Sequence, residues 1–182
     1  MLTDRDALTA REWIVGNGLG GYASGTVSGI ATRRYHGLLV AALSPPRGRQ
    51  VLIAHLDEAI TLRYLRAPLS AHAFPGVVQP EGWRHLVTFA LDPLPRWQWR
   101  VGEAVLERTV FMVRGQNTTV VRYTLVDAPG AIALTVRPFG AFRDFHHHAK
   151  QNRDARITAV SVGDRPGTVL IQPYEGGAAV LM

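Results

Sequence analysis

The chain has 182 residues, 47 % of them hydrophobic and 19 % charged, with a formal net charge of +6 and a pI near 10.5. That length suits one domain, able to bury about 70 % of the surface its unfolded chain exposes. The lack of cysteine excludes a disulfide framework, a thiol nucleophile and a thiolate metal site, and no run reaches the roughly 20 apolar residues of a membrane helix.

The first segment, MLTDRDALTAREW, carries Asp4, Arg5 and Asp6 and has no apolar core. It is no signal peptide, and a soluble, cytoplasmic chain is expected. EWIV then reads as a short strand, followed by GNGLGG at residues 16–21. These glycines fit G-x-G-x-x-G, but a dinucleotide loop needs a helix at once and an acidic residue about 20 positions on. Thr26–Thr32 is β-branched and broken by glycine, and no Asp or Glu occurs between Glu12 and Asp57. No Gly-Lys-Ser/Thr follows either, so the glycines are loop-formers.

Strand patterns continue along the chain. Tyr35–Leu43, Gln50–Leu56 and Ala59–Leu65 are apolar runs between turn signals such as SPPRGR. WRHLVTFAL places Trp83, His85, Val87, Phe89 and Leu91 on one face, and RWQWRV alternates Trp97, Trp99 and Val101 with Arg96, Gln98 and Arg100. Val105–Val113, the β-branched TTVVRYTLV, AIALTVR, Thr168–Ile171 and Ala178–Leu181 complete the series. Period 2 in short runs separated by turns predicts an all-β fold, a large antiparallel β-sandwich with few or no helices. Residues 144–156 are the most polar stretch and read as a long loop. The four tryptophans read as core, because their alternation with arginine is that of a half-buried strand. The chain closes on the apolar run AAVLM, which is expected to mark a cut at a domain edge.

The charge invites a nucleic-acid reading. Its 19 arginines and single lysine are scattered, however, with no basic run and no zinc or helix-turn-helix pattern. Two polar clusters carry more chemistry. TRRYHG offers Arg33, Arg34, Tyr35 and His36; if extended, Arg34 and His36 share one face while Arg33 and Tyr35 share the other. RDFHHH offers Arg143, Asp144 and His146, with His147 and His148 as bystanders. Planar donors beside an aromatic ring suit sugar hydroxyls and sugar faces. No cofactor and no metal is expected. No catalytic residue is assigned: adjacent Asp57 and Glu58 would point to opposite faces of a strand, and no other acidic pair stands out with a supporting motif.

Three stretches together, EWIVGNGLGGYASGTVSGIATRRYHGLLVAAL, LERTVFMVRGQNTTVVRYTL and RPFGAFRDFH, resemble the N-terminal domain of the bacterial and archaeal glycogen debranching enzymes, the amylo-α-1,6-glucosidases. The resemblance is strongest over residues 12–146. It implies a single supersandwich-like N-terminal domain over 1–182, taken from an enzyme that hydrolyses α-1,6-glucosidic branch linkages, with the catalytic carboxylates in a helical barrel absent here. The partners it implies are that barrel and a branched α-glucan or malto-oligosaccharide. The surface facing them would carry Asn17, Tyr22, Arg33, Arg34, Tyr35, His36, Arg143, Asp144 and His146. Two competing readings are a self-sufficient carbohydrate-binding module using an exposed Trp97–Trp99 pair, and an arginine-rich nucleic-acid-binding domain.

Overall fold

The computed structural model describes residues 4–150, 152–155, 159–161 and 167–182, and the fold is all-β. The chain opens with a six-residue helix, α1 (Arg5–Ala10), whose N-cap Asp4 accepts hydrogen bonds from the backbone N–H of Asp6 and Ala7. An N-cap carboxylate satisfies donors that the first turn would leave orphaned. The sequence pattern missed this helix because six residues are too few to display a helical period. Strands follow as β1 (Glu12–Gly16), β2 (Tyr22–Thr26), β3 (Gly37–Ser44), β4 (Arg47–Leu62), β5 (Leu65–Pro68), β6 (Ala71–Phe74) and β7 (Val77–Glu81). After a 3-10 turn at Gly82–His85 come β8 (Leu86–Leu91), β9 (Pro95–Val101), β10 (Ala104–Met112), β11 (Thr119–Asp127) and β12 (Ile132–Asp144), then the short β13 (Ala159–Ser161), β14 (Val169–Ile171) and β15 (Val180–Leu181).

Two antiparallel sheets make the body. One has the order β1-β2-β3-β4-β12, with β5 also on β4; the other runs β11-β10-β9-β8. The hairpin β6–β7 forms a separate two-stranded sheet, and β13, β14 and β15 a small three-stranded one. The core lies between the two larger sheets. Trp97 is fully buried, meets Trp13 edge-on at 5.1 Å, and donates its indole N–H to the Val27 carbonyl. In β9 the exposures of Trp97, Trp99 and Val101 are 0, 5 and 2 %, while Arg96 and Arg100 face out, the alternation expected of a strand with one wet face.

Two expectations need correction. Gln50–Leu56 and Ala59–Leu65 are not two separate strands: β4 runs unbroken from Arg47 through Asp57 and Glu58 to Leu62, the chain turns at Arg63–Tyr64, and Leu65 opens β5. WRHLVTFAL is also not one strand: Trp83–His85 lie in the 3-10 turn and only Leu86 onward pairs with β9. Beyond β12, among the described residues, 145–150 and 152–155 contain no strand, as the polarity of that stretch implied. No helix among the described residues is long and apolar enough to cross a membrane.

Candidate functional site

The glycine stretch forms the tip of the β1–β2 hairpin, with no helix after it. Gly20 sits at φ +94°, and a Cβ there would stand 2.8 Å from the Pro46 carbonyl oxygen, so both the turn and the close approach require glycine. Asn17 is the hub of this tip. Its Oδ1 accepts from the backbone N–H of Leu19 and Gly21, and its Nδ2 donates to the Gln116 carbonyl and to Asn117 Oδ1. It has no exposed surface. Asn17 is therefore an internal strut joining two loops, and burial removes it from the surface assigned to it by sequence.

Residues 33–36 do not extend; they turn, with the His36 N–H donating to the Arg33 carbonyl. The turn regroups the side chains expected from an extended strand. Arg33 and His36 go together to Glu12, at 2.6 and 3.4 Å. Arg34 and Tyr35 go together to the far end of β12, where Arg34 Nη1 donates to the His146 carbonyl at 2.8 Å and the Tyr35 hydroxyl lies 3.2 Å from His146 Nδ1. Burial lowers the His36 pKa, partly opposed by Glu12. The Thr32 N–H donates to Nδ1, which leaves Nε2 to carry the proton of the neutral ring toward Glu12.

β12 supplies the other half through a bulge. Gly140 pairs with Ile53 and Arg143 with Val51, so β12 carries an extra residue there, and Phe142 adopts φ +44°. Bulges re-aim the side chains that follow them. Arg143 is turned to donate to the carbonyls of Arg34 at 2.5 Å and His147 at 2.7 Å. Asp144 Oδ1 accepts from the His146 N–H, and the Tyr22 hydroxyl donates to the Tyr35 carbonyl. Burial raises the Tyr22 pKa, which keeps the phenol protonated. Six predicted residues, Tyr22, Arg34, Tyr35, Arg143, Asp144 and His146, thus meet at one junction of two loops more than 100 positions apart.

Beside this junction a cleft of about 170 Å3 opens. Its origin is a gap in sheet pairing: along one edge of β4, β3 reaches Ile53 and β5 begins at Ala59, leaving residues 54–58 between them. His36 and Arg143 line the cleft together with His55, His72, Glu58, Trp99 and Arg108. Below it, Glu58 points inward with its side chain 2 % exposed. Arg108 Nη1 lies 3.0 and 2.9 Å from its two oxygens, and the Tyr123 hydroxyl donates at 2.5 Å. Burial and the Glu58 charge push the Tyr123 pKa far up. The Arg108 guanidinium lies over Trp97 and Trp99, 4.2 and 5.0 Å from their centroids.

Asp57 takes the opposite face of β4. Its Oδ1 lies 2.6 Å from His72 Nε2 and 3.8 Å from His55 Nε2. Burial, with a smaller contribution from His72, pushes the His55 pKa down to about 4 against the pull of Asp57. Sequence reasoning passed over His55, His72, Arg108 and Tyr123. The pattern AHLDEAI does place His55 and Asp57 on one face by period 2, but no local signal links either to His72.

All four tryptophans are buried, at 7 % exposure or less. The reading of a carbohydrate-binding module with an exposed Trp97–Trp99 pair is therefore corrected: those rings, on β9, point into the core against the facing sheet, where Trp13 packs on Trp97, and are not exposed to stack on sugar. The family model described as glycogen debranching enzyme N terminal matches residues 11–182. Searches of curated proteins and of solved structures return no match.

Proposed function

Because the chain belongs to the glycogen debranching enzyme N-terminal family, we propose that it is the non-catalytic β-sandwich of such an enzyme, packing on a catalytic helical barrel and helping to hold branched α-glucan. The observation that carries the reading is the family match along nearly the whole chain. The polar junction adds to it: the guanidinium groups of Arg34 and Arg143 are held by the backbone carbonyls of His146, Arg34 and His147, and the Tyr35 hydroxyl by His146 Nδ1, so a partner or sugar would meet polar groups already fixed in place. Preorganised groups lose little side-chain freedom on binding. The non-catalytic assignment is supported by Asp57 and Glu58, which lie on opposite faces of β4 and are each committed to other partners. A hydrolytic pair would flank one bond across roughly 5–9.5 Å of open site.

Calorimetric titration of the chain with a branched malto-oligosaccharide tests the sugar contact. Saturable heat that disappears in Arg34→Ala and His146→Ala is the expected result. A folded sample giving no heat would overturn the glucan role and leave docking to the barrel as the function of the junction.

A further inference from the structure

The hairpin β6–β7 pairs with no strand of the two large sheets, yet it is pinned to the middle of β4 by the contact between His72 and Asp57. At that point the donor atoms of His55, Asp57 and His72 lie within 4.8 Å of one another, and both imidazole Nε2 atoms aim at the same carboxylate oxygen. We propose that His55, Asp57 and His72 form a binding site for a divalent transition-metal ion of the zinc type, clamping the β6–β7 hairpin onto the central strand.

The chemistry of the donors selects the ion. Two imidazoles and one carboxylate suit zinc and its neighbours, whereas calcium and magnesium want oxygen alone. Metal–ligand distances of 2.0–2.2 Å in a tetrahedral arrangement require donor separations of roughly 3.4 Å. The observed 2.6 and 3.8 Å bracket that value, so small rotations of three side chains create the site. The rings are already held from outside. Phe139 stacks on His55 at 4.6 Å and 19°, and Phe74 meets His72 edge-on at 6.4 Å. Packing that fixes ring orientation lowers the cost of assembling a metal site. Among the described residues, the ion partners of Asp57 are these two histidines and no arginine. His55 and His72 also line the cleft, so the ion would form part of its wall. That volume is below the roughly 300–1,000 Å3 of organic-ligand pockets and suits an ion with its waters.

The sequence led to an expectation of no metal, since His55 and His72 stand in different elements and the conspicuous histidines are His146–His148. Those tandem histidines make the necessary control. After stripping with a chelator, the chain is titrated with Zn2+ by calorimetry and with Co2+ by visible absorption. The expected result is one equivalent bound, Co2+ bands of a low-coordinate site, and a rise in melting temperature with Zn2+. His72→Ala and Asp57→Asn should each weaken binding at least tenfold, while the double variant His147→Ala with His148→Ala leaves it unchanged. Should a ligand variant fail to fold, Co2+ broadening of the His55 and His72 ring signals in the unaltered protein gives the same answer. Absence of saturable binding up to millimolar Zn2+, or binding that survives the His72 change and vanishes with His147 and His148, would overturn the site.

Discussion

Arg108→Met should be among the most damaging single changes in the body of the domain. The substitution keeps an apolar stem against Trp97 and Trp99 but removes the guanidinium that faces Glu58 from 2.9 and 3.0 Å. At that separation two unit charges attract by roughly 5 kcal/mol with an effective dielectric near 20. What is lost on removing one partner is set by the other, because a carboxylate 2 % exposed is left with the Tyr123 hydroxyl as its remaining donor. Orphaning a buried charge in this way costs about 3–5 kcal/mol, and contact of the cation with the two indoles adds about 0.5–2 kcal/mol. Against a total stability of about 5–15 kcal/mol, that is a large share. With an m-value near 2 kcal/mol/M, the urea midpoint should fall by about 2 M. Combining Arg108→Met with Glu58→Leu removes both charges, and replacing a whole buried pair is often neutral. The double variant should therefore recover most of the loss, a strong non-additivity in a double-mutant cycle. A single-variant loss under about 1 kcal/mol, or two losses that simply add, would refute this account of the buried pair.

Asn17→Ala should cost about 3 kcal/mol or more in thermal or urea denaturation, since it removes four hydrogen bonds on two loops, at about 0.5–1.5 kcal/mol each, and leaves the buried Gly21 N–H without this acceptor. A near-neutral result would mean that the β1–β2 tip is held by something other than this side chain. Stability should also depend on pH. Burial lowers the pKa of His36 and of His85, and His55 is displaced in the same direction. The unfolded chain therefore binds more protons than the folded one just below about 6.5. Their contribution is complete above that pH and is lost as the pH falls through the window, whose lower end for His55 is about 4. Urea midpoints in chelator at pH 7.5 and 5.5 should show the lower value at pH 5.5; equal midpoints would contradict it.

By itself the sequence determined the strands whose signal is local. RWQWRV alternates because β9 has one wet and one buried face, and the glycines of GNGLGG mark a hairpin tip because positive φ and close packing demand them in place. The polar segments TRRYHG and RDFHHH were legible as special because such side chains are costly to place beside apolar strands without partners. Which partners they find was decided only in three dimensions. A turn at Arg33–His36 exchanged the pairings that an extended strand would impose, and the bulge at Phe142 aimed Arg143 at a carbonyl more than 100 positions away. Gln50–Leu56 and Ala59–Leu65 read along the chain as separate strands on either side of Asp57–Glu58. Instead β4 passes through, because Arg108 and Tyr123 from the other sheet neutralise Glu58 while His72 meets Asp57 on the opposite face. Period and turn chemistry act between near neighbours and can be read along the chain. The pairing of buried charges is set by which distant strands pack together, and no local pattern encodes it.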